Sequence, residues 1–223
     1  MGVINKGSMK QRNMAYTTDV LNWQETMNSI TIDCSLDIAL HPARSNTVLL
    51  IIPGVDGSVN GYEDKYIRIA NQVQEKHGVA VVRISNPFIS SYHWESNPRR
   101  ILDYIASNTS AITTNSKAPR IKVMAHSAGA SIIAKIAHEY DNISDILLVN
   151  PAEKLGGDVI QSGLKSCNAR ITAVFGSKDP SIAFAERLKA DGHTVRVVEG
   201  SDHYFSGSYL EDFIKLPSEH LFS

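Results

Sequence analysis

The chain has 223 residues, 43% of them apolar and 20% charged, with 22 Lys and Arg against 23 Asp and Glu, so its formal net charge is −1. That balance fits one soluble globular domain and gives no electrostatic reason for nucleic acid or an acidic membrane as partner. No apolar run reaches the ~18 residues of a membrane span, and the eight histidines form neither H-x-H nor H-E-x-x-H. Cys34 and Cys167 lie far apart in sequence and suggest no disulfide framework, so both read as reduced, small apolar residues of a cytoplasmic protein.

Residues 1–18 are polar, lack the apolar centre of a signal peptide, and read as a flexible leader, leaving 19–223 as a single domain. Runs 29–34 and 36–40 alternate in polarity and predict an antiparallel entry hairpin. After them, short β-branched runs at 47–52, 79–84, 121–124, 146–149, 171–175 and 195–198 predict strands. Helical patterns fall between them at 62–76, 98–105, 130–140 and 182–190, with a last one at 209–216. Gly78 and Gly192 close two of these helices, the expected punctuation of βα repeats. Strands this uniformly apolar are buried on both faces, which calls for a mainly parallel sheet flanked by helices on both faces. The polar segment 107–117 reads as a surface loop. Between 150 and 170 there is room for one helix but not for a cap domain.

In such a sheet, reactive groups gather at the carboxyl ends of the strands. The run ending at 124 leads into Ala125-His126-Ser127-Ala128-Gly129, a serine between small residues at a strand-to-helix turn, as in a nucleophile elbow. The run ending at 175 leads to Asp179, and the run ending at 198 leads to His203. Serine at its free pKa is a poor nucleophile and needs an imidazole to take its proton. His203 fits that role, and Asp179 would fix its tautomer and stabilise the imidazolium. Asp202 and Glu153 compete as the orienting acid, and Asp179 is preferred. His126 reads as a packing residue. An oxyanion needs N–H donors, and the backbone of Ala128 supplies one at a helix start. Val55, in the loop Pro53-Gly54-Val55-Asp56-Gly57-Ser58, is the choice for the second. That loop lacks the Lys-Ser/Thr ending of a phosphate-binding P-loop.

Taken in order, Ile51-Ile52-Pro53-Gly54, the serine motif, Phe175-Gly176-Ser177-Lys178-Asp179 and Gly200-Ser201-Asp202-His203-Tyr204-Phe205 resemble the α/β-hydrolase superfamily, in its small, lidless, dienelactone-hydrolase-like form. The resemblance runs from about residue 29 onward. It implies an eight-stranded, mainly parallel sheet and a Ser127-Asp179-His203 triad working through an acyl-enzyme, with no metal or organic cofactor. The chain departs from the pattern at Pro53, where many relatives carry histidine, and at Ala125, where they carry glycine. It departs again in 86–94, where Tyr92, His93 and Trp94 either line a substrate pocket or pack on the helix below. The expected activity is hydrolysis of a small to medium carboxylic ester or thioester. A peptidase or amidase with the same triad is the alternative, or a non-catalytic binding protein on the same fold.

Overall fold

Eight strands hydrogen-bond into one sheet in the computed structural model, which describes residues 15–90, 94–113 and 118–223. They are β1 (Thr17–Met27), β2 (Ile30–His41), β3 (Thr47–Ile52), β4 (Ala80–Ile84), β5 (Arg120–His126), β6 (Ile143–Val149), β7 (Arg170–Gly176) and β8 (Thr194–Val198). Their spatial order is β1-β2-β4-β3-β5-β6-β7-β8. The pairs β1–β2 and β2–β4 are antiparallel, and every pair from β4 to β8 is parallel. The helices are α1 (Lys65–His77), α2 (Ser96–Ser107), α3 (Thr109–Ile112), α4 (Ala128–Ile136), α5 (Gly157–Lys165), α6 (Phe184–Ala190) and α7 (Leu210–His220).

Side-chain alternation along the parallel strands divides the core in two. Leu49, Ile51, Val81, Met124 and Leu147 face α1 and α7, where they meet Ile69, Val73 and Phe213. Leu50, Ile52, Val82, Val123 and Leu148 face the opposite way and are covered by Ile101 of α2, Ile133 of α4, Leu164 of α5 and Phe184 of α6. Burying each such side chain stabilises the fold by about 1.5–3 kcal/mol, so covering both faces is what holds the helices on the sheet. The 150–170 stretch holds one short 3-10 turn and α5, with no cap domain. No helix among the described residues is long and apolar enough to cross a membrane. Cys34 is buried, Cys167 is half-buried, and both are free thiols.

The entry hairpin differs from its sequence pattern. The two runs expected to pair with each other form the single strand β2, because Ser35 is not a break but an exposed position between buried Cys34 and Leu36. The partner is β1, whose residues are largely exposed, as a polar edge strand requires. Asn28 and Ser29 connect the two with φ of 47° and 67°, the left-handed pair that matches strand twist in a two-residue turn. Thr17 and Thr18, assigned by sequence to the leader, therefore belong to the sheet; residues 1–14 lie outside the described part. The segment expected as a loop contains α3, and 114–117 again lie outside the described residues.

Candidate active site

β5 delivers the chain to the carboxyl edge of the sheet, and α4 starts one residue after it ends. Ser127 between them holds φ 55°, ψ −122°, a region strongly disfavoured for a residue with a side chain. The turn is this tight because α4 must begin directly over β3. A Cβ on Gly129 would stand 2.2 Å from the Pro53 carbonyl oxygen and 2.8 Å from Ile52 Cγ2. Ala125, where the motif usually has glycine, is fully buried in the core on the α4 side, and the core accommodates its methyl.

The loops after β7 and β8 bring two further groups to this serine. His203 Nε2 lies 2.8 Å from Ser127 Oγ, and His203 Nδ1 lies 2.5 Å from Asp179 Oδ2. The Asp179 side chain is fully buried, and its other oxygen accepts the Ser181 N–H at 2.6 Å. The two competing acids are engaged elsewhere. Asp202 accepts the N–H groups of Ser206 and Tyr204, and these donors hold its carboxyl below the usual range. Glu153 pairs with Arg187 at 2.8 Å.

Two residues outside the sequence-based set hold His203 in place. Its backbone carbonyl accepts from His126 Nε2 at 2.8 Å and from Asn150 Nδ2 at 2.9 Å. Burial first, and Lys65 second, pushes the His126 pKa down to about 3, so the ring is neutral at neutral pH. Since a carbonyl only accepts, its proton sits on Nε2. Asn150, immediately after β6, has φ 46° and takes the Gly176 N–H on its Oδ1 at 2.8 Å. Gly176 is glycine for room: a Cβ there would stand 2.5 Å from the Ser201 carbonyl oxygen. The signal for Asn150 was available, since it is an asparagine at the end of a parallel strand.

Ala128 is the first residue of α4, so its N–H has no partner within the helix. Gly54 lies against the serine, the position of a Cβ on it being 3.1 Å from Ser127 Cβ and 3.5 Å from Oγ. Val55 follows, half exposed on the same loop. Of the three aromatic candidates, Tyr92 and His93 lie outside the described residues. Trp94 is half-buried and meets the exposed Phe88 ring edge to face at 5.0 Å.

No family model matches the sequence, and no curated protein matches it either. Solved structures do. A dienelactone hydrolase from Anabaena variabilis is 16% identical over 92% of this chain and 97% of its own, with a TM-score of 0.61. An esterase from Pyrococcus furiosus is 15% identical over 99% and 94%, with a TM-score of 0.66. A carboxyl esterase from the fungus Tuber melanosporum is 13% identical over 96% and 87%, with a TM-score of 0.64. With the strand order above, these similarities establish the α/β-hydrolase fold.

Proposed function

We infer that the protein is a serine hydrolase that cleaves a carboxylic ester or thioester of a small to medium substrate. The observation that carries this reading is the unbroken hydrogen-bonded chain from Ser127 Oγ through His203 to buried Asp179, built at a strained strand-to-helix turn. Two of the structures similar in fold, the Tuber melanosporum and Pyrococcus furiosus proteins, are esterases, which points the same way.

In acylation Ser127 Oγ attacks the carbonyl carbon while its proton passes to His203 Nε2. Asp179 keeps the Nδ1 proton on its side of the ring and stabilises the imidazolium without taking that proton. The oxyanion formed is met by the N–H groups of Ala128 and Val55. Collapse breaks the bond to the leaving oxygen or sulfur, which takes the proton from Nε2. Water then repeats the sequence on the acyl-Ser127, giving up a proton to His203 and releasing the acid.

A fluorophosphonate probe tests the reading. Stoichiometric labelling of the protein, abolished by Ser127→Ala, is the expected result, together with turnover of p-nitrophenyl esters or acyl thioesters. Folded protein that neither labels nor turns over any of a chain-length series would refute it.

A further inference from the structure

The loop that carries Val55 is fastened from behind by one buried side chain. Asn86, fully buried just past β4, donates from Nδ2 to the Pro53 carbonyl at 3.0 Å and to the Gly54 carbonyl at 3.4 Å. Its backbone holds the same loop, the Asn86 carbonyl accepting the Asp56 N–H and the Asn86 N–H bonding the Gly57 carbonyl, both at 2.9 Å. The orientation of the amide is forced. Two carbonyls can only accept, so the NH2 faces them and Oδ1 faces away. That oxygen accepts from Nδ2 of Asn97, a fully buried residue of α2 that also bonds the Pro87 carbonyl, each at 2.9 Å.

We propose that Asn86 and Asn97 are positioning residues for oxyanion stabilisation, a clamp that turns the Val55 N–H toward Ser127. The geometric reason is the planarity of the trans peptide, in which C=O and N–H point in opposite directions. There is no cis bond among the described residues. With the Gly54 carbonyl drawn toward Asn86, the Val55 N–H of the same peptide points away from it. The Gly54 carbonyl also accepts the Gly57 N–H at 3.1 Å, which fixes that peptide a second time. Ser127 stands against the same residue, a Cβ position on Gly54 lying 3.1 Å from Ser127 Cβ and 3.5 Å from its Oγ. No described residue accepts a hydrogen bond from the Val55 N–H, so the donor is unspent.

This inference rests on the hydrolase reading, and the experiment separates the two. Wild-type turnover and labelling at Ser127 test the reading itself. Given those, Asn86→Ala is compared with Asn97→Ala and with Ile105→Ala, a core control on α2. Removing one oxyanion donor costs about 10²–10³ in kcat. Asn86→Ala should therefore lose about 10²-fold in kcat with KM within about threefold, and Asn97→Ala, one bond further away, about tenfold. A boronic acid that mimics the tetrahedral adduct should lose affinity by the same factor as kcat in each variant. The proposal is overturned if folded Asn86→Ala keeps kcat within threefold of wild type. A kcat loss in Ile105→Ala equal to that in the clamp variants, which marks a merely structural effect, overturns it too. If Asn86→Ala does not fold, Asn97→Ala decides by the same criteria.

Discussion

Replacing Asn150 by alanine removes the side chain that ties the ends of β6 and β7 to the His203 loop. The largest loss is at Gly176, whose buried N–H now has no acceptor, at about 1–3 kcal/mol. The His203 carbonyl keeps its bond from His126, so losing the Asn150 donor costs less there, about 0.5–1 kcal/mol. Asparagine tolerates the left-handed φ of 46° better than alanine does, which adds up to about 1 kcal/mol. The total is about 3 kcal/mol, a large part of the ~5–15 kcal/mol that holds a domain together. In urea, with a slope of ~3 kcal/mol per molar, the midpoint should fall by about 1 M. Asn150→Gly, which relieves the backbone but restores no bond, should recover no more than about 1 kcal/mol of that. On the hydrolase reading proposed above, His203 is the base, and displacing it by even an ångström can cost about 10²-fold in rate, so ester turnover should fall with stability. A midpoint shift under about 0.3 M in Asn150→Ala, with turnover unchanged, would refute the assignment of this side chain as the tie.

Gly129→Ala should prevent normal folding or displace the loop after β3, because the new methyl meets a backbone oxygen 2.2 Å away rather than a movable side chain; a variant with wild-type melting temperature and ester turnover would contradict that. Acid should destabilise the fold well above the carboxylate range. Burial pushes the pKa of His126 down to about 3, and burial with Arg83 pushes that of His41 down to about 4. Between those values and the ~6.5 of the unfolded chain, the unfolded state binds more protons, so stability is fully present above 6.5 and is lost as pH falls. The loss at pH 5 is about 2 kcal/mol for each histidine. His193, whose pKa burial also lowers, acts in the same direction. Denaturant titrations at pH 7 and pH 5 that give equal stability would remove the basis for this.

Strands β3 to β7 were readable because a strand covered on both faces must be largely apolar. Val48 to Ile52 is such a run, and each of its residues is buried. β1 was not readable for the converse reason. Val20 is exposed and Leu21 and Trp23 only half covered, so an edge strand with little burial leaves a weak pattern. β8, an edge strand with Thr194, Arg196 and Val197 exposed, was readable only from its β-branched valines. The strand ends at which Ser127, Asp179 and His203 were sought do lie side by side, since a parallel order puts all carboxyl ends on one edge. Asn86, Asn97 and His126 were beyond reach. Their meaning lies in partners 33, 11 and 77 residues away, and such pairings leave no local period in a single sequence.

Outside the hairpin turn, positive φ in described residues that carry a side chain is confined to one edge of the sheet. Among the described residues, Asn28 and Ser29 make the hairpin turn, and the other six non-glycine residues with positive φ are Asp56, Glu63, Asp64, Ser127, Asn150 and Phe205. All six follow the carboxyl end of a parallel strand, on the edge that holds Ser127. Glycines take positive φ on both edges, Gly61, Gly156, Gly200 and Gly207 on this one and Gly78 and Gly192 on the opposite one, where no described residue with a side chain does so outside the hairpin turn. A Cβ at Gly78, Gly192 or Gly207 would meet nothing within 4 Å, so those positions are glycine for φ alone. Keeping a side chain at positive φ costs about 1–3 kcal/mol, so it persists where the side chain is needed. Asn150 and Ser127 meet that condition through their bonds, and Asp56 through its acceptance of the Phe88 N–H at 2.9 Å. Glu63 does not. It is exposed, and its hydrogen bond with the neighbouring Tyr62 hydroxyl, which raises that hydroxyl's pKa, is to a residue that is itself exposed. Glu63→Gly should therefore stabilise the protein by about 0.5–1 kcal/mol, while Asn150→Gly, at nearly the same φ, should destabilise it. Opposite signs in one set of urea titrations would confirm that the bonds and not the backbone angle decide; a loss of stability in Glu63→Gly comparable to that in Asn150→Gly would show that the angle does.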